Sequence, residues 1–234
     1  HPRDRRQRQM CIRDRLKISI EKFFEGTSKN ENVVWSAGHQ SLTTISNLQL
    51  KENICYLKTK IDKKSHFLAV VKANAYGHSL KKFVEKLDDC VDGYALVRLD
   101  EALQVRDLSK KPILLMQGIY DDDEALIAKR NGFMCVLHTQ EQIRTYSRNL
   151  ENKNIWLKVN TGMNRLGFSE NVLNDLNLLN IKPSVLMSHL ASSDDLYNPS
   201  NNKQFKVFNN IFEKYSDIKQ RSILNTGGII NFPE

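Results

Sequence analysis

The sequence predicts an α/β protein whose parallel sheet is covered by helices. Three observations carry that prediction. Strand-like and helix-like stretches alternate along the chain. The strand-like stretches are short and continuously apolar, not alternating. Each is followed by a helical stretch at the spacing of a βα unit. A strand that is apolar on both sides has both faces buried, which calls for helices on each side of the sheet or around a barrel.

Residues 1–15 hold six Arg and two Asp with almost no apolar content. They are read as a disordered basic tail outside the fold. Met10-Cys11-Ile12-Arg13-Asp14-Arg15 resembles translated sequencing-adapter read-through, so the tail is taken as artefactual. Residues 16–40 read as an irregular segment, with room for a short helix at Leu16–Phe24 and a loop through Gly26, Ser28 and Asn30.

From residue 41 the pattern is regular. Ile45, Leu48, Ile54, Leu57 and Ile61 share one helical face. Phe67–Val71 is the first strand, followed by a helix marked by Leu80, Phe83, Val84 and Leu87. Gly93–Val97 is a strand and Leu99–Leu108 a helix that Asp100 can cap. Pro112–Gln117 is a strand; Asp121–Arg130 is a helix with acids in its first turn. Phe133–Leu137 is a strand, and Thr139-Gln140-Glu141-Gln142 has capping-box spacing for a helix to about Asn149. Ile155–Val159, a helix at Ser169–Asn180, and Ser184–His189 follow. Phe205, Phe208, Ile211, Phe212 and Tyr215 form a helical face that packs on the sheet, and Ser222–Asn225 is the last strand. These are seven strands. An open doubly wound sheet and a (β/α)₈ barrel both fit them, the barrel needing eight strands and roughly 250 residues.

The net charge of +8 first suggests nucleic acid. Half of it lies in residues 1–15, and the other 219 residues hold 29 basic and 25 acidic side chains, which calls for no polyanion. The longest apolar runs, Phe67–Val71 and Ile113–Met116, fall far short of the ~20 residues of a membrane span. No apolar stretch follows the basic N-terminus, so no secretory signal is read. Cys11, Cys55, Cys90 and Cys135 lack metal-ligand spacing and read as buried thiols in a reducing cytoplasm.

Polar groups gather where strands end. Lys72, Lys158, His189, Asn225 and Thr226 lie at or near strand C-termini, and Gly227-Gly228 follow. In barrels that face carries the active site, with phosphate often bound after strands seven and eight. A lysine emerging from a buried strand is costly unless functional, and a desolvated lysine suits Schiff-base chemistry; a strand-end lysine reaching solvent is the alternative. His78 reads as a loop or cap residue, His66 and His138 as strand-flanking residues without function, and Asp194-Asp195 as a solvated loop.

Ala69-Val70-Val71-Lys72-Ala73-Asn74-Ala75-Tyr76-Gly77-His78 resembles the pyridoxal-phosphate lysine motif of bacterial alanine racemases. Leu157–Gly167, with Thr161-Gly162-Met163-Asn164-Arg165 at its heart, resembles a second family motif, Ser188–Asp195 a third and Asn225–Gly228 a fourth, in the family's order. The resemblance implies a TIM (β/α)₈-type barrel over residues 41–234, truncated after about seven strands and lacking the eighth strand and the C-terminal β domain. It implies a pyridoxal 5'-phosphate enzyme interconverting L- and D-alanine for peptidoglycan synthesis, cytoplasmic, homodimeric at full length, and inactive as this piece alone.

By the same resemblance Lys72 forms the Schiff base and is one of two bases. Tyr76 bonds the cofactor phosphate, Arg165 contacts the ring's phenolic oxygen and His189 packs on the pyridine. Asn225, Thr226 and Gly227 lie at the phosphate end, and Lys158 matches a lysine carbamylated in some members. The second base is a tyrosine of the partner subunit's C-terminal domain. Departures are Ser222 and Leu224 at a His and an Ala position, Thr226 for serine, and Asn164 for glycine, which fits if that backbone is left-handed. Broad-specificity racemases share these motifs, and non-catalytic single-barrel pyridoxal-phosphate proteins share the fold type; the Thr161–Arg165 element favours the racemase.

Overall fold

The computed structural model describes residues 32–35, 42–149, 155–170, 181–215 and 217–233. The chain divides into two compact units, His1–Asn47 and Leu48–Glu234. In the first, β1 (Asn32–Trp35) pairs antiparallel with β2 (Leu42–Ile45). A strand thus lies inside the stretch read as irregular, and Ile45 belongs to a strand instead of a helix face. The Leu16–Phe24 helix, the Gly26–Asn30 loop and the basic tail lie outside the described residues.

The second unit is the βα series. α1 (Asn47–Lys58) buries Ile54, while Leu48 at its start faces solvent, so the helical face is narrower than its periodicity suggests. Then come β3 (Leu68–Val70), α2 (Leu80–Leu87), β4 (Gly93–Leu96), α3 (Leu99–Leu108), β5 (Ile113–Leu115), α4 (Asp122–Asn131), β6 (Met134–Leu137), α5 (Gln140–Asn149), β7 (Ile155–Lys158), β8 (Val185–Met187), α6 (Pro199–Lys214), β9 (Gln220–Ser222) and α7 (Thr226–Asn231). Among the described residues, β3 to β9 form one parallel sheet in strict sequence order. A doubly wound sheet reverses its strand order at a switch point. This sheet never does, so the two architectures left open by periodicity resolve to the barrel type.

Strand register separates two cores. Ala95, Leu114 and Val136 cluster with Leu68, Met116, Met134, Trp156 and Met187. Tyr94, Leu96, Ile113, Leu115, Cys135, Leu137, Ile155, Leu157 and Leu186 join the larger cluster with helix residues such as Val84, Val105, Ile143 and Phe208. Side chains alternate across a strand, so the first set faces the barrel interior and the second the helix layer. Cross-strand partners agree: Ala95 sits opposite Leu114, Leu114 opposite Met134, and Val136 opposite Trp156. In α6, Phe208 and Ile211 are buried, Phe212 and Tyr215 pack beside them, and Phe205 meets Phe232 edge-on at 5.3 Å.

Local chemistry sets the element ends. Asp121 caps α4 by accepting from the Glu124 N–H, and Thr139 Oγ1 accepts from the Gln142 N–H at the start of α5. Asp100 does not cap α3. Arg98 holds the cap position and forms an ion pair with Asp100 at 2.8 Å. The last strand ends at Ser222, earlier than its apolar pattern suggests, because the Asn225 side chain accepts from the Gly228 N–H and draws that segment into α7. Most of the expected Ser169–Asn180 helix lies outside the described residues. Cys55 is exposed and Cys90 half-buried, against expectation; Cys135 is buried, and burial pushes its thiol up to about 12. Among the described residues no helix is long and apolar enough to cross a membrane.

Leu157 is 1% exposed between sheet and helices. Leu157→Ala is expected to lower unfolding free energy by about 2–5 kcal/mol, the range for a large-to-small change in a packed core, read by chemical denaturation.

Candidate active site

Alternation places the site before any side chain is considered. Leu68 and Met187 line the barrel interior, so Lys72 lies on the same side as Leu68 and His189 on the same side as Met187. Lys158 is opposite Met187. His138, one residue beyond the Leu137–Leu157 pair, falls in the register of Lys158.

The chain after β3 takes an unusual path. Ala73, Asn74, Ala75 and Tyr76 all have φ between 52° and 55°. This is a left-handed turn of non-glycine residues, costing roughly 1–2 kcal/mol per residue in isolation. Ala75 N donates to Val71 O and Gly77 N to Ala73 O, closing the turn. The turn follows Lys72 directly and sets the Lys72 ammonium 6.0 Å from the Tyr76 ring centroid. Tyr76 is exposed, and partial burial of its phenol raises its pKa, keeping the hydroxyl a donor. His78 is a loop residue whose ring meets Ala75 O.

Lys158 ends β7 at 7% exposure. Beyond it, Asn160 Oδ1 accepts from the N–H groups of Gly162 and Asn164, while Asn160 Nδ2 donates to Asn164 Oδ1 at 2.9 Å. Asn164 has φ 57°, the left-handed backbone that the sequence reading required of it. Gly167, at φ 119°, closes the loop where a Cβ would lie 2.7 Å from the Val159 and Asn160 backbone. The loop thereby presents Arg165 beside Lys158 and His189, and these three share one cavity with Thr161, Met163 and Ser188.

The electrostatics are consistent across the cluster. Burial lowers the pKa of Lys158, and the positive charges of Arg165 and Lys72 lower it further. His189 is pushed down to about 4, first by burial, then by Arg165, Lys158 and Lys72. Its ring is therefore neutral at pH 7. Four basic side chains thus lie within electrostatic reach of one another at the C-terminal mouth of the sheet, an arrangement that favours a bound anion.

Asn225 and Thr226 do not end a strand. Asn225 caps α7 and receives the Ser193 hydroxyl at 2.5 Å, while Thr226 is the first helical residue. At Gly227 a Cβ would meet Ser193 Oγ at 3.0 Å and the Asp194 N–H at 3.2 Å, so glycine allows the β8 loop to close on this helix. This segment is joined to the His189 loop through Ser193 and does not line the Lys158–Arg165–His189 cavity. Asp194 and Asp195 are exposed, and no group of three candidate metal ligands occurs among the described residues.

The profile described as "Alanine racemase, N-terminal domain" matches residues 45–234. The chain belongs to the alanine racemase family. An alanine racemase of Legionella pneumophila (strain Corby) is 36% identical over 176 residues, 71% of this chain and 49% of that protein. That of Mannheimia succiniciproducens is 37% identical over 194 residues, covering 80% and 54%. The chain thus spans about half the length of the curated relatives it matches. Among solved structures, the alanine racemase of Acinetobacter baumannii superposes with a TM-score of 0.70 at 31% identity, over 81% of this chain and 58% of that one. The Bartonella henselae enzyme, described with covalently bound pyridoxal phosphate, gives 0.70 at 25% identity, over 80% and 57%.

The motifs omit the residue that ties the site together. Gln204 of α6, 2% exposed, donates to Thr161 Oγ1 and to His189 O, and accepts from the Ala191 N–H. Ser188 Oγ adds bonds to Thr161 and to Val159 O. One amide thus spans the Arg165 loop and the His189 loop. In sequence it is a polar residue between Lys203 and Phe205 on an amphipathic helix, and nothing in the sequence marks it as buried. His138, read as functionless, bonds Gln117 O at the same mouth, where burial and then the charge of Lys158 lower its pKa against that bond's opposing effect.

Two outcomes are expected. Gln204→Ala leaves buried partners unsatisfied, and about 1–3 kcal/mol of stability is lost per such group, measured by denaturant unfolding. The depressed His189 pKa makes stability fall as pH drops from the usual 6.5 toward about 4, because the unfolded ring takes up a proton that the folded ring refuses. Ring-proton NMR shows His189 untitrated at pH 6, and His189→Gln removes this part of the acid destabilisation in thermal melts.

Proposed function

We propose that this chain is the barrel part of a pyridoxal-phosphate-dependent racemase acting on alanine, in which Lys72 carries the cofactor. The observation that carries the reading is the convergence of Lys72, Lys158, Arg165 and His189 on one strand-end cluster, in a chain of the alanine racemase family. The residues fit that cofactor chemically. A cationic mouth suits its phosphate and phenolate charges and the carboxylate of an amino acid. The Thr226 hydroxyl at the start of α7 suits a phosphate end, with Tyr76 adding a phenolic donor.

Pyridoxal phosphate, when bound, supplies an electron sink that stabilises negative charge at the carbon losing its proton. The protein does the rest. Lys72 would hold the cofactor and take or return a proton on one face of the substrate. Arg165 would set its positive charge against the ring's phenolic oxygen, and the Asn160–Asn164 bonds hold its loop. Neutral His189 offers a flat face for the ring without adding another cation. The lowered basicity of Lys158 favours the free amine, the form that carbamylation requires.

Racemisation also needs a group on the opposite face. We assign it to a tyrosine of the partner subunit in a homodimer of the full-length protein, with D-alanine made in the cytoplasm for peptidoglycan. The family likeness supports these assignments.

Incubating the chain with pyridoxal phosphate and reducing with borohydride is expected to leave a phosphopyridoxyl group on Lys72, located by peptide mass spectrometry, and Lys72→Ala abolishes the label. A label on Lys158 or another lysine overturns the assignment.

A further inference from the structure

We propose that Glu101, a residue outside all four sequence motifs, is a positioning residue that holds the left-handed turn beneath Lys72 and Tyr76. The inference rests on the reading of Lys72 as the cofactor-bearing amine. Glu101 lies in the first turn of α3 at 9% exposure, and its Oε1 accepts from the Asn74 N–H at 2.8 Å. A glutamate three residues past the cap usually bends back to its own helix end. Here the cap residue is Arg98, whose charge is already engaged by Asp100, and Glu101 reaches instead across to the neighbouring βα loop.

The turn explains why such a bond is required. Four successive non-glycine residues sit at positive φ, a state that persists only where surrounding structure over-determines it. The turn's own bonds use the N–H groups of Ala75 and Gly77 and leave that of Asn74 to be satisfied from outside. Glu101 satisfies it. On the other side of the same residue, Asn74 Oδ1 accepts from the Leu80 N–H at 2.7 Å, serving as the cap that Ser79 does not provide to α2. Asn74 is thus fixed between two helices, and Lys72 and Tyr76, two residues to either side of it, are fixed with it. A buried carboxylate is costly unless hydrogen-bonded. Among the described residues Glu101 spends that cost on this one backbone contact, at the start of a helix whose dipole favours its charge.

The test pairs amide exchange with cofactor binding, using this chain with and without pyridoxal phosphate. Glu101→Ala is expected to speed hydrogen exchange of the 73–77 segment at least tenfold without cofactor, with protection in β5–β7 unchanged, and to weaken pyridoxal phosphate binding, followed by absorbance, by about tenfold. Glu101→Gln, which keeps an acceptor oxygen, stays within about threefold of the parent on both measures. Ala73→Gly, which removes the penalty for positive φ at one turn residue, restores part of the cofactor affinity lost in Glu101→Ala. Unchanged exchange at 73–77 in Glu101→Ala overturns the proposal, and so does an equal loss of protection throughout the sheet, which marks Glu101 as a general core residue. Should the parent chain fail to bind pyridoxal phosphate, the functional reading falls while the exchange arm still decides the role of Glu101.

Discussion

Each strand of a parallel sheet presents alternate residues to opposite faces, and neighbouring strands keep that alternation in register. From β3 to β9 this splits the buried side chains into an inner set around Leu114 and Val136 and an outer set that meets the helices. The same parity continues past the strand ends. Because Met187 and Trp156 point inward, so do the positions two residues on, and His189 and Lys158 therefore share an interior with the side of β3 that leads to Lys72. The polar mouth is the top layer of the barrel core. A one-residue slip of any strand would turn its site residue into the helix layer and its packing residues into the mouth, so burial and chemistry enforce one register.

Making that layer polar has an electrostatic cost. Lys158 and His189 lose part of their affinity for protons, through burial first and through the neighbouring cations second. The two outcomes are useful in different ways. A histidine that stays neutral adds no repulsion to a crowded cationic site, while Lys158 holds its proton less tightly than an exposed lysine. Arg165 keeps its charge, since a guanidinium is not deprotonated in proteins, and so defines where negative charge must sit. A mouth of this kind favours a bound anion.

Much of this was legible in the residues. Unbroken apolar strands announced a parallel sheet, and Lys72, Lys158 and His189 read as lying at or near strand ends, whereas Asn225 caps α7 instead. Periodicity alone did not separate barrel from doubly wound sheet, because strand order is a long-range property that a 3.6 or 2.0 period does not encode. The end of β9 was misplaced because Ile223 and Leu224 are apolar without being in the ladder, and a side-chain cap at Asn225 outweighed their strand propensity. Leu48 and Ile45 fit a helical face by spacing, yet one is exposed and the other lies on a strand. Spacing states what a helix could bury, and tertiary contacts decide what it does bury.

The residues that the motifs did not reveal have one feature in common. Glu101, Gln142 and Gln204 each lie near the start of a helix, and each reaches the loop of the preceding βα unit. Glu101 of α3 accepts from Asn74 after β3. Gln142 of α5 donates to Gln117 O after β5 and accepts from the His138 N–H after β6. Gln204 of α6 bonds Thr161 after β7 and both His189 O and the Ala191 N–H after β8. Loops at a barrel mouth must bend sharply and so leave backbone groups without strand or helix partners. A long polar side chain one unit downstream is the nearest group able to satisfy them, since right-handed winding brings that helix's first turn beside the earlier loop. In sequence such residues look like ordinary acids and amides in the first two turns of a helix. Their role appears only when the sheet order that brings them to the previous loop is known.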